Sequence, residues 1–427
     1  MKRMKYKFLE SVLDEIDKCV KCAACHAGCP TYELSFSETL TARGKIRLAK
    51  GILEESIGLS KRVAKDFSLC LSCLNCSTVC PPGVDTLKIF TAVRSHIYDE
   101  KKEGRIESFI HEQVLPYPTR LNYLAKLTGA ASLFYKMAPK MIARYFPYAP
   151  DGYARVTPPL LRSSLRSRLK EVNKPVEKRT VRRVAYFSGC MTDLAYPETG
   201  VHVVEKLNNA GVEVIFPKEQ VCCGAPAYFA GDMSTARKLA MKNREAFKNL
   251  DVDAIVISCA TCGSVLKHAY SQILPDDNSA KEMADKVIDF QSLLVELGEE
   301  KKFKAADNSG EKLKVTYHDP CHLKRGLGVS DAPRLILKNL PGVEFVEMEN
   351  ADSCCGGSGA FGLEYYDMSM DIGRAKAEAI KKSGASVVAT SCPMCQLQLT
   401  DALNRQGYDI AVKHTADFID QVMSARK

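Results

Sequence analysis

Val184-Ala-Tyr-Phe-Ser-Gly-Cys190 and Val315-Thr-Tyr-His-Asp-Pro-Cys321 are one phrase written twice, an apolar run that ends on a cysteine. The repetition continues downstream. Cys222-Cys223-Gly224 returns as Cys354-Cys355-Gly356, and Cys259-Ala-Thr-Cys262 as Cys392-Pro-Met-Cys395, at offsets that grow only from 131 to 133 residues. A repeat held in register across 182–266 and 314–399 is a duplicated domain with small loop differences. Within each copy, short apolar runs at 184–187, 212–216 and 254–258, matched by 315–317, 343–348 and 387–390, alternate with helical patterns. The stripe Met233, Ala236, Leu239, Ala240, Ala246, Phe247 and Leu250 is one such helix, and Gly211 reads as the C-cap of the preceding one. This alternation predicts a parallel sheet covered on both faces. Every cysteine of the repeat then falls at or just after the C-terminal end of a strand, where open parallel sheets place their ligands.

The other eight of the eighteen cysteines sit in two runs of Cys-x2-Cys-x2-Cys-x3-Cys-Pro. The first is Cys19, Cys22, Cys25 and Cys29 with Pro30; the second is Cys70, Cys73, Cys76 and Cys80 with Pro81. A loop with a cysteine every third residue offers three thiolates to a cubane cluster, and the fourth must come from elsewhere. The runs resemble those of bacterial two-cluster ferredoxins, in which the last cysteine of each run crosses to the other cluster. That resemblance implies one cubane on Cys19, Cys22, Cys25 and Cys80 and another on Cys70, Cys73, Cys76 and Cys29. Pro30 and Pro81 fix φ after each crossing ligand. A pair of structural zinc sites is the alternative, but zinc modules rarely carry four cysteines per run and a terminal proline.

Five thiols per duplicated unit, two of them adjacent, are one more than a cubane uses. At these residues the chain resembles the Cys-Cys-Gly domain family of heterodisulfide reductase and of glycolate and lactate oxidase iron-sulfur subunits. The resemblance implies a noncubane cluster on Cys190, Cys222, Cys223, Cys259 and Cys262, and a second on Cys321, Cys354, Cys355, Cys392 and Cys395. A cubane or zinc on four of the five thiols is the plainer alternative. The whole order resembles this family: an α-helical two-cluster ferredoxin domain over 1–110, a helical and basic linker over 111–181, and Rossmann-like α/β Cys-Cys-Gly domains over 182–300 and 312–427. The expected fold class is therefore α+β and α/β. Ala42-Arg-Gly-Lys-Ile-Arg-Leu48 and Leu115-Pro-Tyr-Pro-Thr-Arg-Leu121 look like the glycolate oxidase branch, whereas the complete late cysteine pairs look like the heterodisulfide reductase branch.

The 427 residues suit about three domains, and a hydrophobic content of 46% is ordinary. No run of eighteen apolar residues offers a membrane span, and acidic Glu10, Asp14, Glu15 and Asp17 stand where a signal peptide would be apolar. Dense thiolate ligation needs a reducing compartment, so the expected location is cytoplasmic. Of the net charge of +9, the stretch 162–183 supplies +7, which reads as a solvated linker or else as a contact for a partner or anionic lipid. No nucleic-acid motif accompanies it. Leu121, Leu124, Thr128, Ala131, Phe134, Met137, Met141 and Tyr145 recur at near-helical spacing beside Arg120, Lys126, Lys136, Lys140 and Arg144, a helix that packs on protein or lies at the inner membrane face.

Gly357-Ser-Gly359-Ala-Phe-Gly362 matches a dinucleotide fingerprint by letter, yet it follows a Cys-Cys-Gly loop instead of a strand. With no flavin or nicotinamide site, the resemblance implies FAD on a separate flavoprotein dehydrogenase subunit, with electrons leaving to a quinone reductase, ferredoxin or other carrier. His318 and His322 flank Cys321 and could deliver a proton to a substrate thiolate, or else hydrogen-bond near a cluster and tune it; His26 beside Cys25 suits the second role. The expected function is an iron-sulfur electron-transfer subunit of a 2-hydroxyacid (glycolate or lactate) oxidoreductase. The alternative is a catalytic subunit of heterodisulfide reductase type, and a scaffold with structural metals is the third.

Overall fold

The computed structural model of the chain describes residues 7–100, 106–137, 156, 160, 163–176, 179–304 and 312–425. It has a mixed α/β architecture in which a helical N-terminal domain precedes two mainly parallel sheets. In the N-terminal domain, helices Ala42–Leu53 and Lys61–Ser68 start at side-chain caps: Thr41 accepts from the Gly44 amide and Ser60 from that of Val63. Their apolar faces close with helix Thr86–Glu100 over Ile46, Ile52, Phe67, Ile89 and Val93, and the cysteines sit at the edge of this core. Phe67 is fully buried there, so its truncation to alanine costs about 3–5 kcal/mol.

The first sheet holds β1 (Val172–Asn173), β2 (Arg182–Phe187), β3 (Val212–Ile215), β4 (Ala254–Ile257) and β5 (Val287–Asp289) in the order β1-β3-β2-β4-β5. The second holds β6 (Leu313–Tyr317), β7 (Val343–Phe345), β8 (Val387–Thr390) and β9 (Ala411–His414) in the order β7-β6-β8-β9. Apart from antiparallel β1, all pairs are parallel, and the matching strands of the two units occupy matching places. Three strands per unit follow the apolar runs in the sequence. The fourth, β5 or β9, goes beyond them; each is only three or four residues long and leads directly into a helix.

Two apolar cores, one on either side of the sheets, run through both units. One joins Phe187, Ile257 and Leu266 to Leu323, Val388 and Leu399; the other joins Tyr186, Val256 and Leu293 to Tyr317, Ile336 and Phe418. The outer helices are exchanged reciprocally: Pro197–Asn209 packs on Thr415–Ser424, and Phe290–Glu296 packs on Asp331–Asn339. Polar contacts fix the first of these pairings, with His202 Nδ1 at 2.8 Å and Thr199 Oγ1 at 2.7 Å from the Asp417 carboxylate. Lys206 Nζ lies 2.7 Å from Asp420.

The basic stretch 162–183 is more than a solvated linker. Leu165 is wholly buried, β1 extends the first sheet, and Arg166 pairs with Asp193 at 2.8 Å while donating to the Lys218 and Gln220 carbonyls. Of the near-helical stretch upstream, helix Pro118–Met137 is present, with Leu121 against the first core and Tyr123 and Leu127 exposed. Lys140, Met141, Arg144 and Tyr145 lie outside the described residues. No helix among the described residues is long and apolar enough to cross a membrane.

Candidate metal centres

Each N-terminal cysteine loop is curled by non-glycine residues in left-handed backbone. Lys21 (φ +59°) and Ala23 (φ +67°) flank Cys22, and Ser72 (φ +53°) and Leu74 (φ +64°) flank Cys73, the same positions in both runs. Such conformations cost roughly 1–2 kcal/mol apiece and persist where the surroundings impose them, as functional sites do. Backbone amides reach the thiols: Arg43 N to Cys25 Sγ at 3.4 Å, Ser72 N to Cys70 Sγ at 3.5 Å, and Val84 N to Cys80 Sγ at 3.4 Å.

The fourth cysteine of the first run does leave its own loop. Cys29, Cys70, Cys73 and Cys76 line one cavity of about 30 Å³. Burial pushes the Cys29 thiol up, and Cys70 and Cys73 add to the effect. Cys19, Cys25 and Cys80 share the edge of the same core, and the Asp85 amide donates to Glu15 at 3.0 Å, tying the chain after Cys80 to the chain before Cys19. Cys22 is exposed. Lys45 is buried beside the other set and donates to the Leu40 carbonyl; burial lowers its pKa, while the Cys70 and Cys29 thiols act in the opposite direction.

In the duplicated half all ten cysteines line a single cavity of about 560 Å³. Within the first unit the thiols neighbour one another in the order Cys190, Cys222, Cys223, Cys262, Cys259, with Cys222 and Cys190 3.9 Å apart. The second unit repeats this as Cys321, Cys354, Cys355, Cys395, Cys392. Two further pairs of thiols neighbour one another across the sets: Cys259 with Cys392, and Cys354 with Cys73 of the N-terminal domain. Gly189 makes room for the first set, since at φ +70° an added Cβ would stand 2.7 Å from Cys262 Sγ.

Burial and neighbouring thiols raise the pKa of most of this group, and neighbouring thiols lower that of a few. Contact with Cys222 and burial push Cys190 up, and neighbouring thiols with burial do the same to Cys262, Cys321 and Cys395. Cys222 and Cys262, as donors, pull Cys223 down to about 6, and Cys355 is lowered by Cys354 and Cys395. A metal replaces those protons and removes the repulsion. Soft thiols gathered in sets of four or five fit iron-sulfur clusters at all four places.

The two histidines differ. His322 is engaged at both nitrogens, Nδ1 with Thr261 Oγ1 at 3.1 Å and Nε2 with the Ser72 carbonyl at 3.0 Å, and it stacks on Phe229. It thereby clamps the N-terminal domain to both units. His318 is fully buried with Nδ1 unpartnered, and its ring lies in a cluster with Cys355 and Cys395 whose ligand atoms are all within 4.8 Å. Burial, then Lys376, pulls its pKa down to about 3, so the ring is neutral. The glycine-rich segment forms helix Gly359–Glu364 on the cavity wall above Cys354 and Cys355. Arg94, buried, reaches the Phe67, Cys70 and Phe229 carbonyls and completes the clamp. Sequence reading overlooked Lys45, Lys376 and Arg94, although Lys376 stands on the apolar stripe of its helix with Ser369, Ile372 and Ile380.

Residues 15–84 match the 4Fe-4S dicluster domain family, and 184–267 and 315–400 match the cysteine-rich domain family. A probable glycolate oxidase iron-sulfur subunit from Bacillus subtilis is 34% identical, over 98% of this chain and 97% of its own length. The chain belongs to this iron-sulfur subunit family. A subunit of the dihydromethanophenazine:CoB–CoM heterodisulfide reductase from Methanosarcina barkeri is 27% identical over 96% of this chain and 95% of its own. A lactate utilization protein from an Exiguobacterium strain is 32% identical over 56% of this chain and 97% of its own.

Proposed function

We propose that the chain is the iron-sulfur electron-transfer subunit of a 2-hydroxyacid oxidoreductase of the glycolate or lactate type. The observation that carries this reading is the succession of neighbouring thiol sets, from that of exposed Cys22 to that of Cys73, next to Cys354, and on to Cys392, next to Cys259. Cubane clusters on Cys19, Cys22, Cys25 and Cys80 and on Cys70, Cys73, Cys76 and Cys29, with noncubane clusters on the two five-cysteine sets, would supply single-electron chemistry when bound. The protein's part is to hold these sets adjacent, to aim backbone amides at sulfur and to keep water from the inner ones.

FAD would reside on a separate flavoprotein subunit, since a two-electron substrate needs a converter. Val20 (66% exposed), next to Cys19 in the chain, and Phe36 (78% exposed) and Leu34, at the end of helix Pro30–Ser35, are exposed apolar groups of the same domain and suit a docking partner there. The parallel order of second, first, third and fourth strand in each unit supports the Rossmann-like reading. Eighteen unpaired thiols support a reducing, cytoplasmic location, with peripheral contact at the inner membrane face through the basic helical region.

The reach of the shared cavity past the cysteines to Phe361, Glu364 and Tyr365 favours a second reading, disulfide reduction of heterodisulfide reductase type. Each disulfide would take two electrons and two protons to give two thiols; His318, held neutral by burial, could relay a proton but not store one, and His322, occupied at both nitrogens, positions the domains. The test offers glycolate and D-lactate with an artificial acceptor to the complete complex, and low-molecular-weight disulfides to the chemically reduced chain. Hydroxy-acid oxidation supports the relay; rapid disulfide turnover with no hydroxy-acid oxidation overturns it.

A further inference from the structure

The two units carry the same cysteines but not the same surroundings. Aligned on the late cysteine pairs, Lys376 falls where the first unit has Asn243; aligned on the leading cysteines, His318 falls where it has Phe187. In the first unit these positions are committed to packing. Asn243 accepts from the Val221 amide at 2.8 Å and donates to the Cys222 carbonyl at 3.0 Å and the Tyr270 hydroxyl at 2.9 Å. Phe187 is fully buried against Phe247, ring centres 5.8 Å apart.

In the second unit the same positions hold an amine and an imidazole. Lys376 is 1% exposed, bonds to the Asn350 carbonyl, and forms no ion pair with a carboxylate among the described residues. A buried ammonium without a counterion is expensive unless an anion faces it. The helix that carries Lys376 lies against the thiol set, an added Cβ at Gly373 standing 3.5 Å from the Cys355 carbonyl oxygen, and the groups acting on Lys376 against its burial are Cys355 and Cys354, then Asp352 and Asp319. His318 adds an unpartnered nitrogen beside Cys355 and Cys395, where the first unit offers a hydrocarbon ring.

We infer that the second unit's thiol set binds the more easily reduced of the two late clusters, and that Lys376, assisted by His318, sets the difference. The inference rests on the reading that both units hold clusters. Adding an electron makes a thiolate-ligated cluster more negative; a buried cation and nearby polar nitrogen stabilise that state, and histidine in place of carbon or thiolate acts in the same direction. The set nearest the N-terminal domain, through Cys354 and Cys73, would then fill before the one beyond it.

The experiment is a potentiometric titration of the anaerobically purified full chain, followed by electron paramagnetic resonance. Cys395→Ser identifies the second unit's signal by its loss or change. Lys376→Asn, which installs the first unit's residue, is expected to lower that signal's midpoint by at least tenfold in the reduction equilibrium, about 59 mV for a one-electron couple. His318→Phe is expected to lower it less, with the first unit's signal unmoved in both. Should Lys376→Asn lose iron, Asn243→Lys provides the converse, a rise in the first unit's midpoint. Midpoints that stay put in whichever of these proteins retains its iron overturn the inference. Iron near eight atoms per wild-type chain instead overturns the underlying cluster reading.

Discussion

Cys29, Cys70, Cys73 and Cys76 of the N-terminal domain gather round a small space, whereas the ten thiols of the duplicated half face one large common space. Cys29, Cys70, Cys73 and Cys76 close on about 30 Å³, while ten cysteines surround about 560 Å³ that also reaches Phe361, Tyr365 and Lys65. A closed set can exchange electrons with its neighbours and little else. In the duplicated half the space that would hold the clusters continues past the cysteines to Phe361, Glu364 and Tyr365, so it is there that a substrate could reach them.

The strongest way to break this contrast is to remove a crossing ligand. Cys80→Ser is expected to abolish or convert the cluster assigned to Cys19, Cys22 and Cys25 while leaving the Cys70 loop's signal; loss of only the latter, read by electron paramagnetic resonance, would mean that each loop is self-contained. The open region is probed with Ala360→Trp on the exposed part of the cavity wall. It should slow the reaction of the reduced chain with a bulky disulfide and leave the N-terminal signals untouched. Unchanged rates would place that chemistry elsewhere.

Gly189→Ala tests how tightly the first unit's set is built. Its backbone is left-handed and the new methyl would meet Cys262, so a loss of about 1–3 kcal/mol is expected, with iron depleted from that unit. Pro320 occupies the equivalent place in the second unit, so the damage should be one-sided. The smallest effect concerns the joint between units. Hydrogen bonding to Asp417 raises the pKa of half-buried His202. Its contribution is therefore complete below the unfolded value of about 6.5 and fades as pH rises through the higher folded value. His202→Ala should cost about 1 kcal/mol at pH 5.5 and much less at pH 8.5, measured by chemical denaturation under anaerobic conditions.

Much of this molecule is legible in its sequence because metal ligands and sheet cores leave different, local traces. The cysteine spacing marks the four sets, and the apolar runs at 184–187, 254–258 and 387–390 lie on β2, β4 and β8. β5 and β9 leave little trace, since three or four residues such as Val287–Asp289 barely alternate and owe their place to neighbours already formed. The shared cores, and the neighbouring pairs Cys73–Cys354 and Cys259–Cys392, are long-range facts that no single-segment pattern contains. Lys45 and Lys376 are hidden because a lysine ordinarily signals solvent. Only their positions on apolar helix faces hint that anionic ligands would hold them inside.

Enclosed and open sets alike depend on iron occupying all four, and iron and sulfide analysis of anaerobically purified chain, with Mössbauer spectra, measures this directly. About sixteen iron atoms per chain are expected, four for each set. About eight, with both N-terminal signals intact, would contradict the account, because the ten cysteines around the large cavity would then be something other than cluster ligands.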